Sequence, residues 1–488
     1  MKLMYINGEF TNGNAKEVIE VTDPATEEVL DTVPRGTAGD VAAAVHSASE
    51  AFTQWRKLGA NERTRLLHEV ATRVQRHKGE LVRLLTLEEG KPISENEEEL
   101  EWVANTFDYY AELGRHDRGR VIPPGEASQF NFILKEPYGV VACIVPWNYP
   151  LLLMAWKVAP ALAAGNTVII KPSEMTPLTA LYMAEHCFAG LPPGVVNVVT
   201  GYGAETGEPL VKHPEVPVIA FTGSLATGQR IASHAAPMMK KLHFELGGKD
   251  ATVIAEDADP ELAAKAVAYA ALINAGQVCT STERVYIPRW KARQFIEAIV
   301  EHVKSLRLGS GLEPATDVGP MIGDSYRAKI ESHVEEARTR GAQILTGGQR
   351  PRDLAKGWFY EPTVLTGVDH SMLIMREETF GPAVPLMEYT SFEEAIGLVN
   401  DSPYGLGAVL LSEDPRKIKT FFEDVKAGTI WINDPLTDHY AGPFGGMKYS
   451  GGARELGIEG LDEFRETKHV HWDFHLEDKS YWYPYGRG

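Results

Sequence analysis

The chain has 488 residues, of which 44% are apolar and 24% are charged, so its composition is that of a folded globular protein. At about 100–200 residues per domain, this length predicts two or three packed units. The formal net charge of −19 argues against nucleic acid or an anionic membrane as a partner, because both require a basic surface. Three cysteines are too few for a disulfide framework and no signal peptide is visible, so we expect a protein of the cytoplasm.

The amino-terminal region predicts a β-hairpin followed by long helices. Apolar and polar residues alternate around Asn7-Gly8, which is a strong signal for a two-residue hairpin turn. Helical spacing then runs through residues 39–58 and 61–90, and a third helix is predicted from Ser94 with a capping box. The acidic run Glu95–Glu101 lies in the first turns of that helix. We interpret it as a solvated helix start and not as a metal site.

From Val140 the pattern changes to short β-branched strands, each followed by Gly or Pro and then by a helical stretch. This alternation predicts parallel α/β structure with ligand sites at the carboxyl ends of the strands. A second region of the same kind begins with KLHFELGGKDATVIA. Residues 137–156 carry no charge and are long enough for a membrane span, but Pro146 and Pro150 favour a buried strand, a turn and a helix.

Three positions combine a reactive side chain with a rigid or glycine-bearing turn. Asn148 lies between two prolines, so its amide is either a fixed hydrogen-bond donor or an ordinary helix cap. Glu245 precedes two glycines and has apolar neighbours, which favours a desolvated general base; the alternative is a surface glutamate paired with Lys249. Cys279 has Gln, Thr and Ser around it, whereas Cys143 and Cys187 lie in apolar runs and are expected to be buried core residues. Cys279 is therefore a candidate nucleophile, with a small buried side chain as the alternative.

Two further turns suit a nucleotide. A strand ending in Gly223 and Ser224 leads into a helix, whose amino terminus can bind a pyrophosphate. Another strand ends in Lys171 and is followed by Glu174, a cation and a carboxylate where a ribose could lie. Taken separately, each of these also fits an ordinary connecting turn or a snorkelling lysine.

Seven motifs follow one another along the chain: PWNYP, KPSE, FTGS, ELGGK, GQVC, EETFGP and PFGG. Their order and approximate spacing resemble those of the aldehyde dehydrogenase superfamily, and the resemblance covers essentially the whole chain. It implies an α/β fold with two Rossmann-like parallel-sheet domains and a small β oligomerisation arm. It assigns residues 1–117 and 137–246 to an NAD-binding domain and 247–445 to a catalytic thiol domain. Residues 118–136 and 446–488 would form the arm and the carboxyl-terminal tail.

The resemblance also implies a mechanism in which an aldehyde becomes a carboxylic acid. Cys279 would attack the aldehyde carbon, and Asn148 with the backbone N–H of Cys279 would hold the oxyanion. Hydride transfer to NAD would leave a thioester, which water activated by Glu245 would hydrolyse. The presence of Glu245 favours this non-acylating reaction over transfer of the acyl group to coenzyme A.

Cofactor contacts carry over from the family in the same way. Glu174 would bind the adenine-side ribose and favour NAD over NADP, because a carboxylate repels a 2′-phosphate. Glu378 would bind the nicotinamide-side ribose, and Phe380 would pack near the nicotinamide. The full expected set is Trp147, Lys171, Glu174, Gly223, Ser224, Gly247, Glu378 and Phe380.

The family alignment places six residues around the substrate tunnel: Tyr149, Leu153, Trp156, Asp438, His439 and Phe444. We place a broad aliphatic or aromatic aldehyde first, because the betaine branch commonly has Trp where this chain has Phe444 and Ile273. A betaine aldehyde or aminoaldehyde is the alternative, since aromatic side chains can hold a trimethylammonium group. A cofactor-free thiol esterase with His243 as base, and an inactive protein of the same fold, are rivals from other classes.

The carboxyl-terminal tail is rich in aromatic residues, and apolar and polar residues alternate along its first part. Its histidines, His469, His471 and His475, could suggest a metal site, but their spacing favours a strand and we expect no metal. In the superfamily such a strand and a segment like Arg118–Leu134 form an arm that pairs subunits. We therefore expect a homodimer or homotetramer, in which the aromatic tail (Tyr481, Trp482, Tyr483, Tyr485) packs onto a neighbouring subunit.

Overall fold

The structure is a computed structural model that describes residues 1–116 and 119–485. Up to Leu246 its helices are α1 (Ala38–Trp55), α2 (Ala60–Arg76), α3 (Lys78–Glu89), α4 (Ile93–His116), α5 (Pro150–Ala164), α6 (Leu178–His186), α7 (Glu208–Lys212) and α8 (Leu225–Ala235). The strands of this part are β1 (Met4–Ile6), β2 (Glu9–Thr11), β3 (Val18–Thr22), β4 (Val29–Pro34), β5 (Arg120–Ile122), β6 (Gln129–Pro137), β7 (Val140–Ile144), β8 (Thr167–Lys171), β9 (Val196–Val198), β10 (Val218–Gly223) and β11 (Lys241–Leu246).

The first sheet has the strand order β11-β10-β7-β8-β9-β1-β2. Its five strands from β11 to β9 are parallel, and the predicted hairpin of β1 and β2 closes one edge. Asn7 and Gly8 both have the positive φ that a two-residue hairpin turn requires. Because the strands are parallel, the carboxyl ends of β7, β8, β10 and β11 meet at one edge of the sheet.

The second half of the chain contains the helices α9 (Pro260–Leu272), α10 (Ala292–Ser305), α11 (Asp324–Thr339), α12 (Leu373–Arg376), α13 (Phe392–Asn400), α14 (Pro415–Asp424) and α15 (Gly457–Asp462). Its strands are β12 (Asp250–Ile254), β13 (Thr282–Pro288), β14 (Gln343–Thr346), β15 (Thr363–Thr366), β16 (Ala383–Tyr389), β17 (Tyr404–Gly405), β18 (Gly407–Leu411), β19 (Thr429–Ile432), β20 (Met447–Lys448) and β21 (Arg465–Asp473). The second sheet has the order β14-β15-β16-β13-β12-β18-β19 and is parallel except for β14. The chain passes from one sheet to the other at residues 247–249, between β11 and β12. The predicted fold class, with two parallel-sheet units, is confirmed.

The uncharged segment at residues 137–156 forms strand β7, a turn and the start of helix α5. Both elements are buried: all five residues of β7 are buried, and α5 is covered on nearly every side. No helix of the described chain is long and apolar enough to cross a lipid bilayer. Burial between helices and the sheet explains the absence of charge.

A small sheet with the order β21-β6-β5 contains the predicted arm and the first part of the tail. Strand β21 pairs with β6 over its whole length, from Arg465 to Asp473. The strand expected around His469 and His471 is therefore present, and among the described residues no cluster of His, Cys, Asp or Glu is arranged to hold a metal ion. Arg118, at the predicted start of the arm, lies outside the described residues.

The prediction for the acidic run at the start of α4 is wrong in two respects. The helix begins at Ile93, so Ser94 lies inside it and forms no capping box. The run is also not solvated throughout, because Glu99 is only 2% exposed. Its carboxylate accepts hydrogen bonds from the backbone N–H groups of Leu151 and Leu152 at the amino terminus of α5, at 3.1 and 3.0 Å, and forms an ion pair with buried Lys91. Partners far away in the sequence thus allow a carboxylate to be buried here.

Candidate active site

Three adjoining cavities follow one another where the carboxyl edge of the first sheet faces the start of β13. We name them the outer, central and distal cavities. Asn148, Leu153, Cys279 and Phe444 line both the outer and the central cavity. Trp147, Gly223 and Ser224 line both the central and the distal cavity. The cavities therefore form one path with Cys279 between its outer and central parts.

Cys279 is presented by a left-handed turn between α9 and β13. Asn274, Ala275 and Gly276 all have positive φ, of 49°, 54° and 72°. A Cβ at Gly276 would collide with the carbonyl of Gly381, so only glycine fits there. The turn is fixed by carboxylates from other helices, because the Asn274 backbone N–H donates to Glu95 at 2.9 Å and its side-chain amide donates to Glu89 at 3.0 Å. The position of the thiol thus depends on α3 and α4.

Asn148 lies beside this turn and is not the cap of α5, since that position belongs to Tyr149. Its side-chain Nδ2 donates to the carbonyl of Gln277 at 2.9 Å, which fixes the orientation of the amide. Its own carbonyl accepts from Asn274 at 2.9 Å. A buried amide with one N–H in use keeps a second N–H as a donor at the cavity that Cys279 also lines.

Burial raises the pKa of the Cys279 thiol, and the nearby carboxylates of Asp250, Glu245, Glu378 and Asp438 raise it further. The side chain is accordingly a thiol at neutral pH and needs a base to become a nucleophile. The other two cysteines are fully buried and line none of these three cavities. They fit the expectation of inert core residues.

Glu245 lines the central cavity and is only 3% exposed. Neither of its carboxylate oxygens has a hydrogen-bond partner within the described chain. Burial, and then the charge of Glu455, raises the pKa of Glu245 well above its ordinary value. The alternative of a surface pair with Lys249 is wrong, because Lys249 is buried and forms its ion pair with Glu283 at 2.5 Å. A buried, unpartnered carboxyl beside a thiol is chemically suited to accept a proton.

A buried polar cluster behind Glu245 supplies its electrostatic surroundings. Lys157 forms an ion pair with Glu455 and donates to the hydroxyl of Thr222 at 2.7 Å. Burial alone would raise the pKa of Glu455, but Lys157 and His243 lower it to about 2. Glu455 therefore keeps its negative charge, which makes ionisation of Glu245 harder.

Five of the expected cofactor contacts line the distal cavity: Trp147, Lys171, Glu174, Gly223 and Ser224. Lys171 is buried, and its Nζ donates to the carbonyl of Pro172 at 2.9 Å. Ser224 caps α8 by accepting from the N–H of Thr227 at 3.3 Å, and the helix amino terminus faces the cavity. A Cβ at Gly223 would lie 2.5 Å from the ring of Phe221, so the cradle has room for glycine alone. This shape and charge fit a dinucleotide phosphate.

The residues expected around the nicotinamide side line the central cavity: Gly247, Glu378 and Phe380. Glu378 accepts from the backbone N–H of Gly248 at 3.2 Å, and burial raises its pKa to about 7. A Cβ at Gly247 would collide with the Glu378 carboxylate. The ring of Phe380 packs edge-on against Trp147, with centroids 5.5 Å apart.

The outer cavity brings together the expected tunnel residues Tyr149, Leu153, Trp156, Asp438 and Phe444, with Ile273, whereas His439 does not line it. Sequence reasoning missed a second wall from helix α4, formed by Glu95, Glu98, Glu99 and Trp102. The only signal was the acidic run itself. Burial raises the pKa of Asp438 to about 7. The cavity thus combines aromatic rings with carboxylates from two sides.

His243, the base of the cofactor-free alternative, is turned away from the thiol. It is fully buried, stacks on Phe464 and faces Glu455 with Nε2 at 3.0 Å from the carboxylate. It lines neither cavity that contains Cys279. The geometry does not favour His243 as the partner of the nucleophile.

Two parallel sheets, a cysteine-bearing turn between them and a cavity that fits a dinucleotide define the class as an α/β protein with a candidate nucleotide-dependent thiol site, and the family follows from direct comparison. The model of the aldehyde dehydrogenase family matches residues 10–470. The chain belongs to this family. The resemblance read from the seven motifs is thereby confirmed.

Several of its relatives have names that specify a substrate. The chain is 40% identical to a chloroplastic aminoaldehyde dehydrogenase of Arabidopsis thaliana over 477 residues, covering 96% of this chain and 95% of the relative. It is 39% identical to a betaine aldehyde dehydrogenase of Bacillus subtilis, covering 96% of each chain. The crystal structure of betaine aldehyde dehydrogenase from Staphylococcus aureus in complex with NAD⁺ is 38% identical, with a TM-score of 0.96 and coverage of 99% of this chain and 96% of that one.

Proposed function

We propose that this protein oxidises a positively charged aldehyde, of the aminoaldehyde or betaine aldehyde class, to the carboxylic acid with NAD as hydride acceptor. The observation that carries the substrate class is the pair of free carboxylates in the outer cavity. Within the described chain neither Asp438 nor Glu98 forms a hydrogen bond or an ion pair, and both line the cavity that contains Cys279. Trp102, Tyr149 and Trp156 line the same cavity, and aromatic faces attract cations.

The names of the relatives support the same choice. They favour the second of the two substrate classes, the charged aldehydes, over the broad aliphatic or aromatic class placed first from the sequence. The structure adds a physical reason that the sequence did not show: carboxylates of helix α4 line the outer cavity. An ammonium group would pair with these carboxylates, whereas a neutral aldehyde would gain nothing from them.

In the proposed mechanism each step uses a residue placed along the path of cavities. Glu245 takes the proton of Cys279, and the thiolate adds to the aldehyde carbon to give an alkoxide. The free N–H of Asn148 and the backbone N–H of Cys279 stabilise that alkoxide, an effect of about 3–4 kcal/mol per donor. After oxidation a thioester remains on Cys279. Glu245, once it has released the first proton to solvent, removes a proton from the water that attacks the thioester carbon. The C–S bond then breaks, the carboxylic acid leaves, and Cys279 keeps the electron pair as a thiolate.

NAD, when bound, supplies the hydride acceptor that no side chain can provide. Lys171 and Glu174 would hold the adenine-side ribose, and the amino terminus of α8 at Ser224 would hold the pyrophosphate. Glu378 would bind the second ribose beside Gly247 and Phe380. The carboxylate of Glu174 favours NAD over NADP.

The same proposal assigns roles to the parts of the chain. Residues 1–117 and 137–246 form the NAD-binding domain, and 247–445 form the domain that carries the thiol. The arm and the tail would join subunits into a homodimer or homotetramer. Strand β21 pairs with β6 along all nine of its residues, which supports a stable arm. Because β21 is the outer strand of this sheet, its other edge is open to a strand of a partner subunit.

The test is a matched pair of substrates assayed for NADH formation with NAD and with NADP. Betaine aldehyde and its neutral carbon isostere, tert-butylacetaldehyde, have nearly the same shape and differ in charge. We expect a kcat/KM at least about tenfold higher for the cation, equivalent to about 1.4 kcal/mol. Equal rates for the two would refute the substrate class. Absence of NADH with all simple aldehydes would refute the function itself.

A further inference from the structure

Glu283 is a buried carboxylate that lies four residues after Cys279, at the start of β13, and it accepts three hydrogen bonds. One oxygen accepts from Lys249 Nζ at 2.5 Å and from the backbone N–H of Thr379 at 2.8 Å. The other accepts from the backbone N–H of Phe380 at 2.7 Å. Glu283 is 5% exposed and lines none of the three cavities. Any effect of Glu283 on a molecule in these cavities must therefore act through the residues it binds.

The two backbone N–H groups belong to a turn that needs support. Phe380 has a φ of +56°, a left-handed conformation that is unfavourable for a residue with a side chain. This conformation brings both Glu378 and Phe380 to the central cavity. The carboxylate of Glu283 binds the two N–H groups at this bend, so it holds the conformation that presents both side chains.

Lys249 connects the same carboxylate to a second segment. Its ammonium group is fully buried, and burial lowers its pKa while Glu283 raises it. Lys249 also donates to the hydroxyl of Thr379 at 3.2 Å, and that hydroxyl lies 3.2 Å from Nδ1 of His333. Two residues before Lys249, a Cβ at Gly247 would collide with the Glu378 carboxylate, so the two segments approach closely there. Three segments, those of Cys279, Lys249 and Phe380, thus converge on one carboxylate.

We propose that Glu283 is a positioning residue that fixes the turn of residues 378–380 relative to Cys279, and thereby the nicotinamide half of the cofactor relative to the nucleophile. The inference rests on the proposed function, because it takes Glu378 and Phe380 as cofactor contacts. The role of Glu283 concerns the cofactor and not the reactivity of the thiol. Loss of Glu283 weakens NAD binding and hydride transfer, whereas reaction of Cys279 in the absence of cofactor continues.

The principal variant is Glu283→Leu, which removes all three acceptor contacts. Fluorescence titration with NAD measures the dissociation constant, and an activated ester measures acylation of Cys279 without cofactor. We expect the dissociation constant for NAD to rise at least about tenfold, since displacement of a positioned group by about 1 Å can cost a hundredfold. Cofactor-free acylation should stay within about twofold of the wild type. Glu283→Gln keeps one acceptor oxygen for the N–H of Phe380. Its dissociation constant for NAD should therefore lie between those of the wild type and Glu283→Leu.

A double variant separates positioning from simple charge neutralisation. Glu283→Leu leaves the ammonium of Lys249 buried and unpaired, which itself destabilises the fold. Lys249→Met combined with Glu283→Leu removes that charge. We expect the melting temperature to recover in the double variant while NAD binding stays weak. Recovery of NAD binding would show that Glu283 only neutralises Lys249 and would overturn the proposal.

The matched control is Glu388→Gln, which removes a surface carboxylate paired with Arg289 at 3.1 Å. It should change neither NAD binding nor acylation. Unchanged NAD affinity in Glu283→Leu also refutes the inference. Failure of the proposed function is recognised separately, because the wild-type protein would then form no NADH with any aldehyde.

Discussion

At the scale of single residues, the site is a set of carboxyl groups that the fold keeps in different protonation states. Glu455 remains ionised because Lys157 and His243 face it, and its pKa is about 2. The Glu245 carboxyl has no hydrogen-bond partner among the described residues, and its pKa lies well above the ordinary value. Asp438 lies between these extremes, with a pKa of about 7. Burial acts on all three carboxyl groups. Lys157 and His243 lower the pKa of Glu455, and the charge of Glu455 in turn raises that of Glu245.

Replacement of Glu245 should slow both halves of the reaction, because Glu245 is the base for Cys279 and for the attacking water. In Glu245→Gln we expect hydrolysis of the thioester to fall about 10²–10⁴-fold, the usual contribution of a general base. Rapid-mixing measurements should show slower formation of the first NADH per site as well as slower turnover. Because the base acts as a carboxylate with a raised pKa, wild-type hydrolysis should speed up as pH rises through a value above 4.5. A variant that keeps the wild-type steady-state rate would contradict the role.

The free carboxylates of the outer cavity should lower KM for cationic aldehydes and leave KM for neutral aldehydes unchanged. For Asp438→Asn we expect KM for an aminoaldehyde to rise about fivefold, equivalent to about 1 kcal/mol for a partly solvated ion pair. KM for tert-butylacetaldehyde should stay unchanged. Since Asp438 ionises above a pKa of about 7, wild-type KM for the cation should increase as pH falls below that value.

Glu98→Gln serves as the companion variant, because Glu98 lines the same cavity from the opposite element. It should raise the same KM in the same direction. A rise in KM for the neutral aldehyde in either variant would indicate a change of shape rather than of charge.

At the scale of elements, the turn between α9 and β13 sets the position of the thiol. In Gly276→Ala we expect the free energy of unfolding to fall by about 1–3 kcal/mol. The backbone of Gly276 is in the left-handed region, and a Cβ there would collide with the Gly381 carbonyl. Activity should fall together with stability, as measured by denaturant titration and by NADH formation.

Gly397→Ala is the control for this change. Gly397 lies inside helix α13 and has open space around its Cα, so alanine should stabilise the protein by up to about 1 kcal/mol. Equal effects of the two substitutions would remove the argument from backbone conformation.

Helices and strands were predictable where a local pattern determines them, and the candidate site was predictable only in part. The β-branched runs of β7 and β8 predict buried parallel strands. The residues next to Asn148, Glu245 and Cys279 identify these three as candidate site residues. The acidic run of α4 carries none, because its meaning depends on Lys91 and on the backbone N–H groups of α5. Local sequence cannot show which face of a charged helix will meet such partners.

At the scale of the whole molecule, the aromatic tail is exposed in the single chain. Tyr481, Tyr483 and Tyr485 are 67%, 82% and 66% exposed, although aromatic side chains gain most when they are buried. In a chain shortened after Lys479 we therefore expect weaker subunit assembly and a lower melting temperature, measured by sedimentation and thermal unfolding. Unchanged assembly, stability and substrate range would show that the tail does not contact a neighbour.

The buried carboxyl groups also govern how the protein exchanges protons with its surroundings. Burial raises the pKa of Glu88 to about 7, of Glu95 to about 8 and of Glu378 to about 7, and the formal charge of −19 counts each of them as ionised. Between the ordinary value of 4.5 and these raised values, the folded chain holds protons that the unfolded chain has lost. The free energy of unfolding therefore falls as pH rises through that window. Unfolding at neutral pH should acidify an unbuffered solution, and the native protein should migrate in an electric field as a less negative particle than its sequence indicates.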